Sequence, residues 1–226
     1  MPRLLIILIG VFSAAMACAG EKAAPRLFTP PKAYFPAGTF EGSTLEWYAK
    51  NLRVLQEPSL ADRKDAGPDV YRLLWMRSFH SPMVFRLEFS ADGIARLTEK
   101  KARLEEVKNH NLEPTKLTSN TQKKIATPVA DNFLRLFDAS TFSKRSLGDP
   151  REEMGGADGS TWVFEAIQKG VYHVTTRWSP LPPLVPPGDS DPVFAKFRQK
   201  DGEEIALDMA SLFLIFLGEA SSEQLY

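Results

Sequence analysis

The alternation of side chains over residues 83–89 constrains the fold most strongly. Apolar residues at every second position are typical of a strand with one face on a core. Residues 91–93 (Ala-Asp-Gly) then form a turn, and a partner strand follows over 94–103. With Gly93 left-handed in a three-residue loop, the register pairs charge with charge and apolar with apolar, namely Glu88 with Arg96 and Leu87 with Leu97. This segment therefore predicts a bulged antiparallel hairpin, preceded by a further strand over residues 71–80.

A second hairpin is predicted from strands 161–167 and 171–179. A two-residue turn would put Trp162 and His173 on one face and Trp178 on the other. A three-residue loop over 168–170 shifts the register by one and gathers one apolar face from Trp162, Phe164, Ala166, Tyr172, Val174 and Trp178. We favour the three-residue loop, because a slip of one residue would divide this apolar set.

Three helices are predicted around these hairpins. Ser43–Glu46 is a capping box, and the helix that it begins ends after Glu57, before Pro58. Residues 119–138 carry apolar side chains at helical spacing, although Pro128 either kinks this helix or begins a new one with Thr127 as its cap. Residues 203–217 form a terminal helix that Gly218 ends.

These elements define an α+β fold within a single domain over residues 43–220. The antiparallel sheet is built from two hairpin units, 71–103 and 161–179, with about three helices packed on one side of it. Residues 20–42 hold four prolines and are predicted to be a tether or an extended lead-in.

The pattern of residues 1–19 is typical of a secretory signal peptide. Arg3 precedes an apolar run over residues 4–12, which is too short to span a bilayer, and small residues follow up to Ala19. Cleavage after Ala19 would discard Cys18. Alternatively, residues 15–18 (Ala-Met-Ala-Cys) resemble a lipobox, and cleavage there would leave Cys18 as a lipidated N-terminus. Both readings predict export, to the periplasm or as a secreted or membrane-anchored protein.

Composition excludes several classes of function. The chain has 28 Lys+Arg against 28 Asp+Glu, so it lacks the basic surplus of a dedicated nucleic-acid binder. One cysteine excludes an intrachain disulfide and a cysteine-cluster zinc site. The three histidines lie far apart, and no phosphate-binding or dinucleotide-binding glycine motif occurs. The sequence therefore predicts no metal and no cofactor.

One candidate site follows from the favoured register of the second hairpin. It places Glu165 opposite His173, with Arg177 as a diagonal neighbour. A carboxylate beside an imidazole is suited to general acid–base chemistry. The structural alternative is a polar cross-strand pair on a solvated face, which we favour because no nucleophile accompanies the three side chains.

A second candidate site lies in the strand over residues 71–80. Arg77 shares a face with Trp75 and Phe79, so its guanidinium either lines a ligand cleft or forms a buried ion pair, with Glu165 as its partner. Cation–π contact with Trp75 would stabilise it. The candidate binding residues are Trp75, Arg77, His80 and Trp178.

Two stretches resemble a family of uncharacterised secreted bacterial proteins. The first contains Tyr71-Arg72, Trp75, Arg77, Phe79-His80 and Pro82, and the second contains Asp158-Gly159, Trp162, Glu165, Gly170, Tyr172-His173 and Arg177 to Pro180. The segment from Glu57 to Leu60 is similar too. The resemblance implies an exported bacterial domain and no particular activity.

The predicted function is that of an exported envelope protein with a non-enzymatic binding or structural role. Its partner is an unknown ligand or an envelope protein, contacted through one sheet face or the proline-rich loop over residues 180–192. A binding module is expected to show an aromatic-lined groove or an exposed apolar patch. The alternative is a small hydrolase or acid–base enzyme using Glu165, His173 and Arg177. Membrane contact is predicted only through an anchor at Cys18.

Overall fold

A single antiparallel sheet organises the part of the chain that the computed structural model describes, which is residues 21–22, 29, 32–63, 67–107, 111–145, 147, 159–178 and 202–218. Its strands are β1 (Glu21–Lys22), β2 (Val70–Arg77), β3 (Met83–Phe89), β4 (Ala95–Glu106), β5 (Leu112–Ile125), β6 (Ser160–Gln168) and β7 (Val171–Trp178). They are arranged in the order β1-β5-β4-β3-β2-β6-β7. The inner strand β2 is buried at every position, so both faces of the sheet need a cover.

Helices provide that cover on both faces. They are α1 (Gly42–Val54), α2 (Thr127–Ala139) and α3 (Gly202–Gly218). One face packs its aromatic side chains against α2 and α3, while the other packs against α1 and the buried Tyr34 and Phe35 of the lead-in. The α+β class and the antiparallel sheet are thus confirmed. The prediction that all three helices lie on one side is wrong, because a sheet buried on both faces cannot leave one open to water.

The first predicted hairpin is confirmed in its register. Leu87 pairs with Leu97 and Glu88 with Arg96. Gly93 has φ +78°, a conformation that glycine adopts without steric cost, and its N–H donates to the Ser90 carbonyl. The preceding strand ends at Arg77 rather than at His80, because residues 78–82 form the turn that leads into β3.

The favoured register of the second hairpin is wrong. Gln168 pairs with Val171 across a two-residue turn, and Glu165 pairs with Val174 instead of His173. Lys169 and Gly170 both have positive φ, which is the geometry of the two-residue turns that match strand twist. The apolar side chains of β6 do not need one common face, since both faces of the sheet are covered.

Two predicted helix boundaries also need correction. Residues 119–125, predicted to begin a helix, belong instead to strand β5, because they pair with β4. The helix begins afresh at Thr127, with Pro128 in its first turn and Ala126 as the N-cap residue. Helix α1 begins at Gly42 with Glu41 as N-cap and no side-chain cap hydrogen bond, so the predicted capping role of Ser43 is wrong.

Several predicted features lie outside the described residues. These are the signal peptide with Cys18 and the proline-rich loop 180–192. None of the helices described here is long and apolar enough to cross a membrane.

Candidate functional site

The structure does not bring the acid–base candidates together. Adjacent residues of a strand point to opposite faces, and Glu165 lies on the α1 face, whereas His173 and Arg177 lie on the face covered by α2 and α3. His173 packs edge-on against Phe142, with 4.9 Å between ring centroids, and its Nε2 lies 3.1 Å from the Arg145 carbonyl oxygen. These contacts give His173 a structural role against the 3-10 turn over Phe142–Lys144.

Arg177 and Trp178 are likewise held within the fold. The Arg177 guanidinium is buried and its Nη1 donates to the Thr175 hydroxyl and the Thr176 carbonyl, at 3.2 and 2.9 Å. Trp178 is half-buried and pairs with Thr161, on the face opposite to that of Trp75 and Arg77. Trp178 is therefore separated from the other predicted binding residues.

Glu165 belongs instead to a fully buried charge cluster that the sequence did not predict. The Arg72 guanidinium approaches Glu165 at 2.6 Å, and the Tyr172 hydroxyl donates to the second carboxylate oxygen at 2.9 Å. The ion pair predicted between Arg77 and Glu165 is thus formed by Arg72. Burial raises the pKa of Glu165, and the Arg72 guanidinium opposes that rise.

Glu57 is the centre of this charge cluster. Its carboxylate lies 2.9 Å from Arg86 Nε, 2.7 Å from Lys100 Nζ and 3.4 Å from Arg72 Nη1. Burial alone would raise the pKa of Glu57, but Arg86, Lys100 and Arg72 outweigh it and lower the pKa to about 2. Glu57 is therefore ionised in the folded protein at every physiological pH.

The end of α1 aims Glu57 at these cations. Gln56 has φ +53°, its N–H donates to the Arg53 carbonyl, and the Glu57 N–H donates to the Leu52 carbonyl at 2.9 Å. This pair of hydrogen bonds is a Schellman motif, in which glycine usually holds the left-handed position. The helix therefore ends at Val54 rather than at Glu57 as predicted.

Arg77 and Trp75 do form the predicted cation–π contact. The guanidinium carbon lies 4.0 Å from the centre of the Trp75 ring, and both side chains are buried. Burial lowers the pKa of Arg77 from its usual high value. The same guanidinium donates through Nη2 to the carbonyl of Ser81 at 3.3 Å. Arg77 thereby braces the turn between β2 and β3 rather than lining an open cleft.

This turn, residues 78–82, displays the most exposed large apolar side chain of the described chain. Phe79 is 71% exposed and has φ +63°. The His80 N–H donates to the Arg77 carbonyl at 3.3 Å, and His80 Nδ1 lies 2.8 Å from the Ser78 carbonyl oxygen. A left-handed conformation costs a side-chain-bearing residue about 1–2 kcal/mol. Phe79 thus combines backbone strain with exposure, and packing within the fold compensates neither.

A groove between α1 and the start of β5 is a second surface feature that sequence reasoning missed. It has a volume of about 380 Å³ and is lined by Ser43, Glu46, Trp47, Lys50, Asn111, Leu112, Glu113 and Pro114. Trp47 is 45% exposed, and a 2.5 Å ion pair between Lys50 and Glu113 joins the two walls. The helical spacing of 43, 46, 47 and 50 was visible in the sequence, but their partner strand was not.

Comparisons with known proteins assign no function to this geometry. A scan against models of protein families finds no match, and a search of curated proteins finds none either. Among the described residues, no group of three or more His, Cys, Asp or Glu side chains is placed to hold a metal ion.

Proposed function

We propose that this chain is an exported, non-enzymatic binding protein of the bacterial cell envelope, which contacts a partner protein through the turn over residues 78–82. The signal-peptide pattern of residues 1–19 supports export, with cleavage after Ala19 or lipidation at Cys18 as the two routes. The two motif stretches support placing it among secreted bacterial proteins. The exposure and the positive φ of Phe79 are the observations that support this turn as the binding surface.

The fold alone would favour glycine over phenylalanine at position 79, where φ is +63°. Glycine adopts a positive φ without the steric cost that phenylalanine meets. Phe79 gains little from burial, because 71% of it is exposed. Strained backbone conformations concentrate at functional sites, where the surrounding structure holds them. Arg77 supplies that support, because its guanidinium stacks on Trp75 and donates to the Ser81 carbonyl within the turn.

A protein partner fits the turn over residues 78–82 better than a lipid surface does. Burying one phenylalanine provides about 1.5–3 kcal/mol, which is enough for a central anchor of a protein interface. Stable membrane association needs more apolar area or a basic patch. Residues 78–82 contain one large apolar side chain, Phe79, beside His80, and no lysine or arginine. A preorganised aromatic anchor is typical of protein recognition.

Photo-crosslinking in the host cell tests this proposal. The photoreactive analogue p-benzoylphenylalanine replaces either Phe79 or Val171, which is 66% exposed in the β6–β7 hairpin and serves as the matched control. We expect a discrete protein adduct from position 79 and none from position 171. Equal labelling from both positions, or no adduct from position 79, would contradict the proposal.

The variant Phe79→Gly separates binding from folding. Relief of the positive φ should leave the free energy of unfolding unchanged or raise it by up to about 1 kcal/mol. The same change should weaken binding to the partner. A loss of more than about 1 kcal/mol of stability would show instead that Phe79 serves the fold.

A further inference from the structure

We propose that the groove lined by Trp47 is a saccharide-binding site, which takes a neutral or N-acetylated mono- or disaccharide. The proposal is independent of the turn over residues 78–82, because the groove lies on α1 and β5. Its volume of about 380 Å³ falls within the range of small-molecule sites, which is about 300–1,000 Å³.

Trp47 presents an indole ring to the groove from a helix that is otherwise packed on the sheet. The neighbouring Tyr48 and Leu52 on α1 are buried against the sheet, whereas Trp47 faces the groove and remains 45% exposed. The Tyr48 ring lies 5.5 Å from the indole, centre to centre, and the Asn51 amide donates to the Trp47 carbonyl at 2.9 Å. An indole face is thus offered to solvent from a fixed position. The C–H face of a pyranose ring stacks on such a surface.

The polar side chains of the groove select the rest of the ligand. Five of the eight lining residues are polar or charged: Ser43, Glu46, Lys50, Asn111 and Glu113. A wholly apolar ligand would desolvate these groups without replacing their hydrogen bonds, which is unfavourable. Sugar hydroxyls both donate to carboxylates and accept from amide and ammonium groups. A ligand with one apolar face and a hydroxyl-bearing edge therefore matches the lining.

Charge within the groove excludes acidic sugars. Glu46 and Glu113 contribute two carboxylates against the single ammonium of Lys50, and that ammonium is already paired with Glu113 at 2.5 Å. An anionic ligand would meet a net negative lining. The same ion pair joins the helix wall of the groove to its strand wall.

Fluorine NMR on protein labelled with 5-fluorotryptophan tests the proposal directly. The four tryptophans give four signals, and the variant Trp47→Phe assigns the signal of the groove. The probes are N,N′-diacetylchitobiose, cellobiose, the anionic cellobiuronic acid and tri-proline. We expect a neutral disaccharide to shift the Trp47 signal with a Kd on the order of 1 mM. The signals of buried Trp75 and Trp162 should stay in place.

The variant Trp47→Ala should weaken disaccharide binding by about tenfold or more, measured by ligand-observed NMR. The control Ile205→Ala, which removes a half-exposed side chain on α3, should leave it unchanged. Unchanged signals of Trp75 and Trp162 establish that each variant is folded. The proposal is overturned if neither neutral disaccharide shifts the Trp47 signal, if tri-proline or the acidic sugar binds instead, or if Trp47→Ala binds as the wild type does.

Discussion

Replacing Glu57 by glutamine tests whether the buried charge cluster stabilises the fold. The substitution keeps the shape of the side chain and removes the charge that faces Arg86, Lys100 and Arg72. Each pKa unit corresponds to about 1.4 kcal/mol, so the fall of the Glu57 pKa from 4.5 to about 2 corresponds to about 3 kcal/mol. This lies at the lower end of the roughly 3–5 kcal/mol expected when one partner of a buried ion pair is removed.

The sign of the pH dependence follows from the lowered pKa. A carboxyl group whose pKa is lower in the folded state stabilises the protein above its unfolded pKa and loses that contribution as the pH falls through the folded pKa. The contribution of Glu57 is therefore complete at pH 7, while about 1 kcal/mol of it remains at pH 3. Glu57→Gln should cost about 3 kcal/mol at pH 7 and about 1 kcal/mol at pH 3.

Urea unfolding of the wild type and the variant, followed by fluorescence at both pH values, measures this difference. Urea is uncharged and does not screen the cluster. The raised pKa of Glu165 acts in the opposite sense, so the variant is compared with the wild type at each pH. Glu88→Gln is the matched control, because Glu88 also contacts Arg86 but is partly exposed, and it should cost under about 1 kcal/mol. A cost for Glu57→Gln below about 1 kcal/mol at pH 7, or one that is equal at both pH values, would refute the reasoning.

Three further measurements follow from the structure. Tyr172→Phe removes the hydroxyl that donates to Glu165 and should cost about 1–3 kcal/mol in urea unfolding; no cost would mean that this carboxylate does not need the donor. Gln56→Gly relieves the positive φ at the end of α1 and should raise the free energy of unfolding by about 0.4–1 kcal/mol, whereas a loss would contradict the Schellman assignment. Mass spectrometry of the mature N-terminus should find either a lipidated Cys18 or Gly20 as the first residue, and an intact residue 1 in exported material would exclude both routes.

Local sequence patterns predicted the fold correctly where a pattern was compatible with only one structure. The first hairpin was predictable because Gly93 fixed the loop and one register alone matched both the charges and the apolar side chains. The second hairpin was not, since the argument assumed one buried face and the covering helices bury both. The strand over 112–125 was missed because most of its side chains are polar and only partly buried, so it shows no apolar alternation, although its threonines favour a strand.

In the candidate sites, too, contacts between residues close in sequence were predictable and contacts between distant segments were not. The contact of Arg77 with Trp75 follows from their spacing of two along one strand, so the sequence predicted it correctly. The cluster around Glu57 depends on five chain segments meeting at one point, and its only local signal was the occurrence of charged residues inside otherwise apolar strands. The positive φ of Phe79 had no sequence signal, because phenylalanine is a residue that rarely adopts it.

The binding role of the turn over residues 78–82 is tested most directly by affinity. The partner identified by crosslinking at position 79 is purified and titrated with the wild type, Phe79→Gly and Val171→Ala by isothermal calorimetry. We predict that Phe79→Gly weakens the Kd by about thirtyfold, which corresponds to about 2 kcal/mol, while Val171→Ala changes it less than about threefold. Equal affinities for the wild type and Phe79→Gly would contradict the assignment of this turn as the binding surface.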